Sequence, residues 1–183
     1  EISVFVVEKS ELKKFNVTVG KEKLTYNGES QRPTITVTDK TDKNKVLAEG
    51  TDYIIEFGNS TVNAGTVKFT VIGIGEYIGT VAKTYKIASI AVKEGITFDA
   101  DSIDADGYTF VSTGVKIDED IIVSYGDVEL VQGKDYKIVY ANNKKVSSAK
   151  SKAKFTINFL GNYKGSKALK GEFTINPAPL NDD

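Results

Sequence analysis

The chain has 183 residues, with 24 Lys plus Arg against 25 Asp plus Glu and a formal net charge of −1. That length admits one large or two small domains, and the balanced charge supplies no net field to recruit nucleic acid or an anionic membrane. Cys and His are both absent, which removes disulfides, thiol nucleophiles, thiolate metal sites, the commonest general base and the commonest transition-metal ligand. No apolar run approaches the ~20 residues of a membrane-spanning helix, so no membrane insertion is expected.

Val, Ile, Thr, Tyr and Phe dominate, with 16 Gly and only 3 Pro, a composition that suits pleated, half-buried strands punctuated by turns. Taken in order, Glu1–Val7 reads as the last strand of a preceding repeat. The stretch from Val7 to Phe15 is the best helix candidate, yet it sustains no apolar face. Tyr53, Ile55 and Phe57 alternate with Ile54 and Glu56, and Val67, Phe69 and Val71 alternate with Thr66, Lys68 and Thr70. Val81, Tyr85 and Ile87 mark a further strand. In the second half the inward positions are Tyr136, Ile138 and Tyr140, then Ala153, Phe155, Ile157 and Phe159. Pro177-Ala178-Pro179-Leu180 reads as a linker into a following repeat.

Three motifs recur in the same order. Gly50-Thr51-Asp52-Tyr53 returns as Gly133-Lys134-Asp135-Tyr136, and Gly75-Glu76-Tyr77-Ile78-Gly79 as Gly161-Asn162-Tyr163-Lys164-Gly165. Thr84-Tyr85-Lys86-Ile87 returns as Glu172-Phe173-Thr174-Ile175. The offsets grow from 83 to 86 to 88, which places small insertions in the loops of the second copy. The expected organisation is 1–7 as a remnant, 8–88 and 89–177 as two repeats, and 178–183 as linker. The fold class expected is all-β: two tandem immunoglobulin-like antiparallel β-sandwich domains.

Leu24-Thr25-Tyr26-Asn27-Gly28, Glu49-Gly50-Thr51-Asp52-Tyr53, Asn63-Ala64-Gly65-Thr66 and Gly75-Glu76-Tyr77-Ile78-Gly79-Thr80 resemble the bacterial Ig-like surface repeats of Firmicutes, of the Tyr-Asn-Gly type akin to MBG or YDG domains. The resemblance covers the first copy throughout and the second from Gly133 onward. In the early second copy Phe98 to Thr113 replaces the Tyr-Asn-Gly turn, and Ser147-Ser148-Ala149 stands for Asn63-Ala64-Gly65. The resemblance implies a repeated extracellular module, at a cell surface or secreted, that spaces, displays or adheres. Some surface domains of this kind carry a Lys–Asn isopeptide bond beside a buried acid, a trio that sequence alone does not reveal here.

Among chemical sites, Asp99, Asp101, Asp104 and Asp106 beside Gly107 have the composition of a calcium loop, since Ca²⁺ takes six to eight oxygens. Setting Gly107 at the loop glycine of an EF-hand puts Thr113 where the bidentate Glu belongs. A solvated acidic turn is therefore the preferred reading, and no other cofactor is expected. Tyr77 and Tyr163, repeated in Gly-x-Tyr-x-Gly, read as structural corners before sugar platforms. Phe15, Tyr26, Tyr108 and Tyr125 are the surface aromatics expected. No nucleophile elbow, phosphate loop or distinguishable carboxylate pair is legible, so no catalysis is expected. The expected role is a monomeric, non-catalytic spacer or stalk whose partners are neighbouring domains of the same chain. A carbohydrate- or host-ligand-binding adhesion module and an accessory domain of a secreted hydrolase are the alternatives.

Overall fold

The computed structural model describes residues 8–180; the strand expected at 1–7 and the end of the 178–183 linker lie outside the described residues. The chain divides into two compact units between Ala88 and Ser89. Both are all-β. Among the described residues the only helical turns are two 3-10 turns, Leu12–Lys14 and Gly161–Tyr163, and no helix is long and apolar enough to cross a membrane.

In the first unit the strands are β1 (Ser10–Glu11), β2 (Phe15–Val19), β3 (Leu24–Thr25), β4 (Ile35–Asp39), β5 (Tyr53–Phe57), β6 (Gly65–Gly73), β7 (Tyr77–Ile78) and β8 (Thr80–Ala88). β2 and β4 pair antiparallel, while β3, β8, β6 and β5 form a four-stranded sheet in that order, with β3 parallel to β8. The alternation seen in the sequence sets the inner faces. Phe15, Val17, Ile35 and Val37 from the first sheet join Val67, Phe69, Val71, Tyr85 and Ile87 from the second in one buried cluster. Phe15, expected at the surface, is instead 4 % exposed, edge-on to Tyr77 at 5.4 Å. The 3-10 turn that buries Leu12 precedes β2, whose odd residues Phe15 and Val17 face inward.

In the second unit the strands are β9 (Ile96–Phe98), β10 (Tyr108–Thr109), β11 (Val123–Tyr125), β12 (Val128–Glu129), β13 (Tyr136–Ala141), β14 (Ala153–Phe159), β15 (Leu169–Phe173) and β16 (Ile175–Asn176). They form sheets β12-β11-β9 and β13-β14-β15, and β10 pairs parallel with β16. The divergent early half keeps the pairing of the first unit under a different sequence. Leu24 and Thr25 face Ile87 and Ala88, and Tyr26 donates its N–H to the Ala88 carbonyl at 2.9 Å. Tyr108 and Thr109 likewise face Ile175 and Asn176, and Phe110 donates to the Asn176 carbonyl at 2.9 Å. Tyr108-Thr109-Phe110 thus takes the place of Leu24-Thr25-Tyr26.

The insertions are located by register. From Gly65, opposite Ile87, to Val67, opposite Tyr85, is two steps, whereas from Ser147, whose N–H reaches the Ile175 carbonyl, to Ala153, opposite Phe173, is six. The additional residues fold into a tight turn in which Ser148 and Ser151 exchange backbone hydrogen bonds. Ser147 therefore stands where Gly65 does, two residues from the position that sequence alignment gave to Ala149.

The recurrent motifs are joined into one clamp in each unit. The Asp52 carboxylate accepts the Ala48 N–H at 2.8 Å while the Asp52 N–H returns to the Ala48 carbonyl, and the Asp135 carboxylate and N–H make the same pair of bonds to Val131. Gly50 and Gly133, at φ 85° and 84°, let the turn double back so that their N–H groups reach the carbonyls of Tyr53 and Tyr136. The carbonyls of Asp52 and Asp135 then accept the N–H groups of Ile74 and Leu160, just ahead of the two Gly-x-Tyr turns. At Gly75 and Gly161 a Cβ would stand 3.1 Å from the Thr51 and Lys134 carbonyls, so both turns seat directly on the Gly-x-Asp-Tyr turn.

Replacing Asp135 by Ala should cost about 1–3 kcal/mol, because Asp135 is 6 % exposed and the Val131 N–H would lose its partner in a part-buried bond. Asp52→Ala, at a half-exposed site, should cost less. Urea melts of the two single variants measure the difference, and equal losses would contradict the burial asymmetry.

Candidate functional site

The acidic segment lies between β9 and β10. Matching Phe98 to Val17 and Tyr108 to Leu24 by their strand partners shows three more residues here than in the first unit. The additional length is taken up by local turns. Asp99 accepts the Asp101 N–H at 3.0 Å and Asp104 accepts the Asp106 N–H at 2.9 Å, which turns two of the four carboxylates onto their own backbone. Asp101 and Asp106 are exposed, and Asn176 donates its side-chain N–H to the Asp106 carbonyl at 2.7 Å. Ser102 donates its hydroxyl to the Asp99 and Asp120 carbonyls. Among the described residues no three acidic groups stand close enough to hold a metal ion, so the structure does not bring the four aspartates together as a ligand set.

A different pair of carboxylates meets tyrosines. Tyr140 donates its hydroxyl to Asp118 at 2.6 Å and accepts the Ile117 N–H, while Tyr108 donates to Asp120 at 2.7 Å and accepts the Asp104 N–H. Both rings pack edge-on to Phe173. Burial pushes the Tyr140 hydroxyl well above the ordinary tyrosine value, and the hydrogen bond to Asp118 raises it further. Burial raises Tyr108 as well. The sequence contained the signal, aromatic and acidic residues either side of Lys116, but no spacing rule connects residues 22 positions apart such as Asp118 and Tyr140.

The tyrosines read as corners, Tyr77 and Tyr163, are buried at 7 % and 5 % exposure. Tyr125 is exposed and meets Tyr163 edge-on at 6.0 Å, and Tyr26 and Tyr108 are half-buried. In the first unit Arg32 grips Glu49 through both guanidinium nitrogens at 2.9 and 2.7 Å, and that bond holds the Glu49 carboxyl below its usual range. Every lysine among the described residues is exposed, so none stands buried beside an asparagine and an acid as an isopeptide bond requires.

Two of the depressions along β15 are lined also by residues of the stretch 92–105. One, of about 440 Å³, lies between Val92, Lys93 and Ile96 and the stretch 167–170; the other, of about 350 Å³, lies between residues 98–105 and the stretch 171–174. No family model matches the chain, and no curated protein is significantly similar to it.

Two outcomes follow from this geometry. Millimolar calcium should leave the melting temperature unchanged, whereas a micromolar site would stabilise by about 4 kcal/mol through mass action; a calcium-dependent rise abolished by changing Asp104 and Asp106 to Asn would contradict the arrangement described. The raised Tyr140 value gives a stabilisation that is intact below the unfolded tyrosine pKa of about 10 and is lost as pH rises through the folded value. The unfolding midpoint should therefore fall on the alkaline side, and less steeply in Tyr140→Phe, as a pH series of denaturant melts would show.

Proposed function

We propose that the chain is a non-catalytic structural module, two immunoglobulin-like β-sandwich repeats that act as a spacer or stalk in a cell-surface or secreted multidomain protein. The observation that carries this reading is the identical clamp in both units, in which the repeated residues are spent on folding. Asp52 and Asp135 cap backbone, Gly75 and Gly161 allow two turns to touch, and Tyr77 and Tyr163 are buried. A duplicated motif whose members all point into the fold preserves a shape, and a shape repeated along a chain supplies length and stiffness. The resemblance to bacterial Ig-like surface repeats of the MBG or YDG type supports an extracellular setting. Inner faces of two sheets meeting in one apolar cluster support the sandwich assignment in the first unit.

A binding role is favoured by one specific feature, the pair of depressions along β15, and it is compatible with a stalk that also makes contacts. Exchange separates the roles. Replacing both repeats by unrelated sandwiches of equal residue count should leave the display and activity of neighbouring domains unchanged. Loss of surface capture or of a neighbour's activity after exchange would show that the repeats themselves bind or act.

A further inference from the structure

We propose that the second unit takes an extended, acid-terminated peptide as an added strand along the free edge of β15. The sheet order β13-β14-β15 leaves β15 with one unpaired side. Alternation identifies which groups face outward. Ile175 bonds through its N–H and carbonyl to Ser147, on the β14 side, and the Thr174 carbonyl accepts the Tyr108 N–H on the opposite side. Lys170 and Glu172, in step with Thr174, therefore direct their N–H and C=O groups to the open edge, where they have no partner among the described residues. Open edges of this kind pair with extended polypeptide.

The edge is also the wall of a trough. The two depressions follow one another along residues 167–174, and residues of the stretch 92–105 line both. Eight residues at ~3.3 Å each give a trough of roughly 25 Å, the length of a short extended peptide. Ile96 and Leu169 lie in one depression and Phe98 and Phe173 in the other, which suits apolar side chains projecting from alternate positions of a strand. The first unit carries a charge at the corresponding position, on the part of β8 beyond its two-residue pairing with β3. Lys83 opposes Phe69 as Gly171 opposes Phe155, and Lys83 shares the face of Val81, Tyr85 and Ile87. Lys83 is exposed, and a charge on that face of an unpaired stretch is a device against strand addition. Gly171 lacks it, and the Phe155 ring occupies the space, within 2.2 Å of where a Cβ would be.

Charge selects the occupant. Lys93, Lys167 and Lys170 rim the 440 Å³ end with no acidic residue among its lining, whereas the other end sets Lys152 alone against Asp104 and Glu172. Antiparallel addition, with its better aligned hydrogen bonds, places the peptide's C-terminal end at the lysines. Carboxylates belong there.

The probe is the fluorescein-labelled octapeptide Thr-Val-Thr-Val-Thr-Val-Asp-Asp with a free C-terminus, titrated into the 183-residue chain and followed by fluorescence polarisation and amide hydrogen exchange. Expected are saturable binding below about 1 mM and slowed exchange at Lys170 and Glu172. Glu172→Pro removes one outward N–H without touching the β14 ladder, and should weaken binding at least about tenfold. The double variant Lys167→Glu, Lys170→Glu, at two exposed side chains, should do the same without removing any backbone N–H, and tests the proposal even if the proline variant fails to fold. Unchanged affinity in a folded variant, equal binding of the same peptide with a Lys-Lys-amide end in place of Asp-Asp, or no saturation would overturn it. So would self-association of the peptide-free protein that already protects those two amides, since the edge would then be a contact between copies.

Discussion

The carboxylate of the Gly-x-Asp-Tyr turn bends back to the N–H four residues earlier, and the carbonyl of the same aspartate takes the N–H that precedes the Gly-x-Tyr turn. One residue thereby fixes two turns that lie 22 residues apart between Asp52 and Ile74, and 25 apart between Asp135 and Leu160. The strands between them, β5 with β6 and β13 with β14, have their register set at that end. Slippage by one residue would carry Phe69 or Phe155 from the core to the outer face. The buried tyrosine beside each clamp then closes the corner: Tyr77 against Phe15 and Tyr163 against Tyr125.

With the clamp fixed, the rest of each unit is free to vary. The hairpin β11–β12 turns through Gly126 and Asp127, whereas the corresponding chain after β4 runs from Asp39 to Val46, held by the Asp39 carboxylate on Thr41 and Asp42. Both return to the same bond, Leu47 to the Val37 carbonyl and Leu130 to the Val123 carbonyl. The acidic insertion and the Ser148–Ser151 turn are further variations outside the clamp. What the copies share is the clamp, and what sets them apart lies in the loops and along β15.

The change from Lys83 to Gly171 has consequences beyond one side chain. On the stretch of β8 beyond β3, Lys83 resists pairing because a neighbouring strand would cover its charge. Glycine removes the penalty, weakens the strand and admits the Phe155 ring from across the ladder. The fold tolerates this because Phe155 stays buried at 1 % exposure, so the apolar contact is kept while the edge is left open.

By itself the sequence determined the all-β class, the duplicated order of motifs, and the inward residues Tyr53, Phe69, Tyr136 and Phe155, because period-two alternation and repetition are local properties that need no partner to be read. It misplaced Phe15, which alternates in phase with Val17 and Val19 but whose burial is decided by the pairing with β4 and the contact with Tyr77. It also missed the equivalence of Tyr108-Thr109-Phe110 with Leu24-Thr25-Tyr26, since a two-residue parallel pairing is specified by backbone bonds and leaves the side chains nearly free. Only the tertiary structure decided where the carboxylates go. Asp99 and Asp104 turn onto their own backbone, while Asp118 and Asp120 meet tyrosines brought by other strands. A carboxylate finds its partner by distance in space, and that distance is set by the register of strands far apart in the chain.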